Sequence, residues 1–130
     1  MLYLDTSALV KLVHLEAESA ALMRWLDDRP DAPWVASALV EVELVRAVRA
    51  AAPADLIHVP GVLARVDRLD MDGIVRSNAA AISPATVRSL DALHLATAIE
   101  LAADLTALVT YDKRLGEATE AAGLTWVAPC

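Results

Sequence analysis

Phenylalanine is absent from this chain of 130 residues, and aromatic residues of all kinds make up 4% of it. The apolar content of 57% is therefore met by Leu, Val and Ala, which favours close-packed helices against a sheet. Cys130, at the last position, is the one cysteine, which excludes an internal disulfide and a thiolate metal cluster. No apolar run approaches the roughly 18 to 20 residues that span a bilayer. Met1 leads straight into the first apolar run, leaving no room for a signal peptide. A cytoplasmic protein without membrane contact is the expectation. Positive charge is scarce as well: 11 Lys and Arg against 18 Asp and Glu leave a net charge of −7. That balance argues against a general nucleic-acid-binding surface, which usually has a basic face. It does not exclude a nuclease whose acids surround metal ions.

The length suits a single domain, residues 1–130, around one core. Short apolar runs at 2–5, 34–37, 66–70, 107–111 and 124–127 read as strands. Between them, helical spacing covers 8–14, 18–28, 37–51, 53–64, 72–82, 90–103 and 112–122. Ser37 is expected to cap its helix, Pro60-Gly61 to interrupt or finish the next, and Ser83-Pro84 to start another as N-cap and first-turn residue. Gly123 is expected to stop the helix before it. Strands separated by helices imply crossovers and a parallel sheet covered on both faces. The predicted fold is a three-layer α/β/α sandwich whose central, mainly parallel sheet has about five strands.

Against this apolar background four acids stand out: Asp5, Glu43, Asp91 and Asp112. A carboxylate without a basic partner is costly to bury, and four gathered together are tolerable only around a cation. Asp5 ends the first strand and Asp112 follows the run Ala107–Tyr111, so both fall at the edge where open parallel sheets bind ligands. Asp91 lies in the first turn of its helix, where the macrodipole favours negative charge. Glu43 projects from the middle of its helix. Such a set suits Mg²⁺ or Mn²⁺, which take oxygen ligands and keep several waters. Two such ions about 4 Å apart activate water in phosphodiester hydrolysis. Taken singly, each acid has an ordinary explanation. Asp5 and Asp112 read as helix caps, Asp91 as a partner of the helix dipole, and Glu43 as an intrahelical partner of Arg46. Only their combination points to a site.

Four segments carry a resemblance: LYLDTSALVKL at the start, SALVEVELVRA at Ser37–Ala47, SLDALHLATA at Ser89–Ala98 and LVTYDKRL at Leu108–Leu115. In this order and spacing they resemble the PIN-domain family, and within it the VapC toxins of toxin–antitoxin operons. The resemblance covers essentially the whole chain and implies a PIN-like fold. Position by position it places the family's acidic quartet on Asp5, Glu43, Asp91 and Asp112, with accessory hydroxyls at Thr6 and Thr110. It selects Glu43 over Glu41 because the family's glutamate precedes Leu-x-Arg-Ala. On a helix the two lie about 200° apart, so only one can face the site. The implied activity is a Mg²⁺- or Mn²⁺-dependent endoribonuclease leaving a 5′-phosphate and a 3′-hydroxyl. The implied partners are an RNA substrate and a VapB-like antitoxin that blocks the site. A homodimer, within a toxin–antitoxin hetero-oligomer, is implied too.

Lys113 and Arg114 beside Asp112 are candidate phosphate contacts, or solvated residues of a first helical turn. His94 reads as packed rather than as a ligand, since hard Mg²⁺ seldom takes imidazole. Trp25 and Trp34 read as core or interface rather than as base-stacking platforms. Three other functions compete with this one. A phospho-accepting receiver needs paired acids near the first strand, but Asp5 has Leu4 and Thr6 as neighbours. A haloacid-dehalogenase-like phosphatase needs Asp-x-Asp there, and position 7 is Ser. A catalytically silent PIN fold or receiver-like module acting through protein binding is the remaining alternative.

Overall fold

Five short strands carry the sheet in the computed structural model, which describes residues 1–130. They are β1 (Leu2–Leu4), β2 (Trp34–Ser37), β3 (Val66–Leu69), β4 (Ala107–Val109) and β5 (Trp126–Val127). All neighbours pair in parallel, in the order β3-β2-β1-β4-β5. The expected α/β architecture is found, with a wholly parallel sheet.

Alternation along the strands explains the layers. Leu2, Leu4, Trp34, Ala36, Ala107 and Val109 join one core, under α1 (Thr6–Val13), α2 (Ser19–Asp27), α3 (Val40–Ala51) and α4 (Val59–Leu63). Tyr3, Val35 and Leu108 join the other. There they meet Leu95 and Ala98 of α6 (Ser89–Glu100) and Leu115 and Ala118 of α7 (Lys113–Ala121). A further helix, α5 (Gly73–Ala80), packs on α6. Burial on both faces is why the central strands are continuous apolar runs rather than alternating ones. Each fully buried leucine contributes about 1.5–3 kcal/mol, and Leu2, Leu4, Leu9, Leu44 and Leu108 are all fully enclosed. No helix is long and apolar enough to cross a membrane.

Two local expectations are corrected and one is refined. Ser37 is not the N-cap of α3, although its Oγ accepts the Leu39 amide (3.2 Å) ahead of that helix. It is the last residue of β2, in register with Leu69, and the ladder runs one residue further through Ala38 N–H to the Leu69 carbonyl (2.8 Å). Strand pairing thus claims Ser37, and the helix begins at Val40. The interruption expected near Pro60-Gly61 falls just before them: a 3₁₀ segment at Pro53–His58 gives way to α4, where Pro60 sits in the first turn and needs no N–H partner. No helix starts at Ser83-Pro84. The peptide bond there is cis, one turn closes from Val87 N–H to the Pro84 carbonyl (3.0 Å), and Arg88 is extended before α6 begins. Gly123 does end α7, at φ +83°, a left-handed conformation that suits glycine.

The strand order positions the site. From β1 the chain adds β2 and β3 on one side, then crosses back to place β4 on the other. β1 and β4 are therefore the switch point, where a crevice opens outside the carboxyl ends of an α/β sheet. Asp5 and Thr110 are the residues immediately after these two strands.

Candidate active site at the carboxyl edge of the sheet

Asp5 is both a helix cap and the centre of a buried cluster. Its Oδ1 accepts from the Ala8 amide of α1 (3.2 Å) and from Ser7 Oγ (2.7 Å), and its Oδ2 accepts from Thr110 Oγ1 (2.9 Å). It is 5% exposed. Burial raises its carboxyl above the ordinary value, while nearby His94 and the donors from Ser7, Thr110 and Ala8 pull the other way. The two hydroxyls tie this carboxylate to the loop after β4. Ser7 Oγ accepts the Tyr111 amide (2.8 Å), and Thr110 Oγ1 accepts the Asp112 amide (3.0 Å). Ser7 was not singled out in the sequence. Its position two residues beyond a strand-ending Asp is the signal that was available.

Glu43 is half-buried on α3. Its Oε1 receives Thr6 Oγ1 at 2.8 Å and His94 Nε2 at 2.6 Å. Burial pushes its carboxyl up, but these donors outweigh burial and hold it below its usual value. The expected pairing with Arg46 does not occur: Arg46 is exposed, and Glu43 turns inward to α1 and α6 instead. Glu41 leaves the helix on another side and meets Arg68 at 2.9 Å, as the 200° separation requires.

Asp91 occupies the first turn of α6, half-buried and without a hydrogen-bonded partner. Burial raises its carboxyl first, and the negative charges of Asp112 and Glu43 raise it further, opposed by His94 and Arg88. Asp112 caps α7, with Oδ1 accepting from the Arg114 (2.9 Å) and Leu115 (3.3 Å) amides. The four acids thus share one edge: Asp5 is joined to the Asp112 loop, and Glu43 and Asp112 both act on Asp91. No three Asp, Glu, His or Cys side chains come close enough to form a ready-made metal cage.

A groove of about 550 Å³ opens beside Asp91, lined among others by Arg88, Arg114 and Glu117. Lys113 is exposed and lies 3.9 Å from Glu117, an ordinary pair one helical turn apart. Trp34 begins β2, at the opposite end of the strand from these acids, and is stacked under Arg65 (3.9 Å). Trp25 is covered by Arg29 (4.0 Å). Both tryptophans pack on the core, Trp34 within it and Trp25 against it, in line with the reading of them as core residues.

Known proteins place this chain in a family. The PIN domain profile matches residues 2–121. Ribonuclease VapC35 of Mycobacterium tuberculosis is 59% identical over 131 aligned positions, covering 99% of this chain and 97% of that protein. Ribonuclease VapC46 of the same species is 41% identical, with 98% and 97% covered. Among solved structures, Mycobacterium tuberculosis VapC20, a toxin that cleaves the sarcin–ricin loop, has a TM-score of 0.77. That match covers 99% of this chain and 100% of the other at 16% identity, a likeness of fold alone. The chain belongs to the PIN-domain family, among its VapC members.

Proposed function

We propose that this chain is a divalent-cation-dependent endoribonuclease and the toxin of a toxin–antitoxin pair. The observation that carries the reading is the electrostatic coupling of the acids at the β1–β4 switch point. Asp91 is raised first by burial and then by the like charges of Asp112 and Glu43, against the lowering by His94 and Arg88, so negative charge gathers at this edge in a way that a cation would offset. The donor set is all oxygen and anionic, which fits Mg²⁺ or Mn²⁺, and its openness suits ions that retain waters. Asp5 and Asp91 would be the principal ligands, with Asp112 and Glu43 completing the site directly or through water. A bound ion would polarise the scissile phosphate and lower the pKa of a coordinated water.

The chain's own residues orient the reactants. Thr110 and Thr6 hold the carboxylates of Asp5 and Glu43. Arg114, with Arg88 across the same groove, receives phosphates of the strand beside the scissile bond, and Lys113 adds charge nearby. Attack of water oxygen on phosphorus breaks the P–O3′ bond and leaves a 5′-phosphate and a 3′-hydroxyl. A VapB-like antitoxin would occlude this edge in the cytoplasm, in a hetero-oligomer. Exposed Val42, Ile74 and Leu90 offer apolar surface for a homodimer.

The test is cleavage of a structured RNA by the purified chain with Mg²⁺, with EDTA, and by folded Asp5→Asn. Cleavage confined to wild type with metal supports the reading; equal rates in the variant or in EDTA refute it. The net charge of −7 favours, as a second reading, a silent PIN fold that binds a basic partner. Folded wild type that binds neither Mn²⁺ nor RNA would favour it.

A further inference from the structure

One buried chain of hydrogen bonds runs from the sheet to Glu43 through two residues with no role in the proposal above. The Ser37 amide, at the end of β2, donates to Tyr3 Oη at 3.0 Å. Tyr3 Oη lies 2.7 Å from His94 Nδ1, and His94 Nε2 lies 2.6 Å from Glu43 Oε1. Tyr3 is 0% exposed and His94 2% exposed, so the links from Ser37 to His94 are shielded from water. The ring of His94 stands edge-on to that of Tyr3, at 83°, which keeps the nitrogen directed at the hydroxyl.

For a neutral His94 the donors and acceptors follow from its partners, a hydroxyl at Nδ1 and a carboxylate at Nε2. Tyr3 oxygen accepts the Ser37 N–H, and burial drives its phenol well above the ordinary range, so it keeps its proton. Donating that proton to Nδ1 leaves Nε2 as the imidazole's N–H, directed at a carboxylate that has no proton to give. With Thr6 on the same atom, Glu43 Oε1 is filled by two donors, and Oε2 makes no hydrogen bond.

We infer that His94 is a positioning residue, tethered through Tyr3 to the end of β2, that holds Glu43 Oε1 so that Oε2 alone is free for the acidic site. It touches neither substrate nor reacting atoms. The inference rests on Glu43 belonging to that site. A partner that orients a ligating carboxylate typically changes metal affinity 10–100-fold when removed.

Long-range ¹H–¹⁵N correlation of the metal-free wild-type imidazole comes first: hydrogen is expected on Nε2 of His94, with Nδ1 unprotonated. Hydrogen on Nδ1 would overturn the relay. Next, His94→Leu should lower kcat about tenfold or more and weaken Mn²⁺ binding in calorimetry about 10–100-fold, with KM for RNA changed less than about twofold. His94→Gln, which restores a donor toward Glu43, should recover most of both. Tyr3→Phe should lower kcat with KM unchanged and shift the His94 nitrogen signals. Wild-type kcat and Mn²⁺ affinity in His94→Leu would refute a positioning role. If His94→Leu does not fold, the wild-type nitrogen assignment and Tyr3→Phe decide. Wild type that shows the expected tautomer but neither binds Mn²⁺ nor cuts RNA refutes the proposed function and leaves the hydrogen-bond relay standing.

Discussion

Thr110 donates a 2.9 Å hydrogen bond to Asp5 across the carboxyl ends of β4 and β1, while the same oxygen accepts the Asp112 amide at 3.0 Å. One hydroxyl therefore fixes the side chain of one acid and the backbone of another. The contact depends on strand register, since Leu4 pairs with Val109 and places the two following residues side by side. A parallel pairing slipped by one residue would separate them.

Replacing Thr110 by Val keeps the shape of the side chain and removes both bonds. Asp5 loses a donor in a buried position and the Asp112 amide loses its acceptor, so a destabilisation of about 1–3 kcal/mol is expected. RNA cleavage should fall with it. Thr110→Ser should retain most of both. Urea denaturation of the three proteins checks this, and a Val variant as stable and active as wild type would show the bond to be incidental.

Gly116 tests the link between packing and site from a distance. A Cβ there would overlap the indole of Trp126, whose Nε1 donates to the Thr110 carbonyl at 2.9 Å. Gly116→Ala is expected to cost about 3 kcal/mol by overpacking and to lower cleavage by displacing Trp126 from the end of β4. Thermal denaturation reads the first effect and initial rates the second. An unchanged thermal midpoint would mean that β5 moves freely and that Trp126 is not held against Gly116.

Stability should depend on pH through the same acids. Burial raises the carboxyl of Asp5 above its ordinary value, so the folded state binds its proton more tightly than the unfolded chain does. Such a group contributes stability that is fully present below the unfolded value, about 4, and is lost as pH rises through the folded value. Asp91 acts in the same direction, and Glu43, held low, in the opposite one at more acid pH. In EDTA, folded Asp5→Asn should therefore gain stability relative to wild type between about pH 4 and neutrality. Denaturation at several pH values measures the difference. A variant that instead loses ground as pH rises would contradict the assigned sign.

The layers and the strands were readable because their signal is local. Leu2–Leu4, Trp34–Ser37 and Ala107–Val109 are apolar runs too short to be helices, and each is buried on both faces. The acids at strand ends were readable for the same reason. Relations between distant segments were not. Ser37 has the chemistry of a helix cap, and only pairing with Leu69 makes it a strand residue. Glu43 has Arg46 one turn away in sequence, yet α1 and α6 present Thr6 and His94 to it, and those win. His94 was correctly read as buried, but a reading of one helix could not reveal that its two nitrogens reach Tyr3 and Glu43. Ser7 escaped notice because its partners, Asp5 and Tyr111, belong to different strands' ends.

The central claim is that anions from separate segments form one divalent-cation site at the edge of this sheet. Calorimetric titration of Mn²⁺ into metal-free wild type and folded Asp5→Asn tests it most directly. Saturable binding in wild type, abolished or weakened at least about tenfold in the variant, is the predicted result. Equal binding by both proteins, or none by wild type, would contradict it.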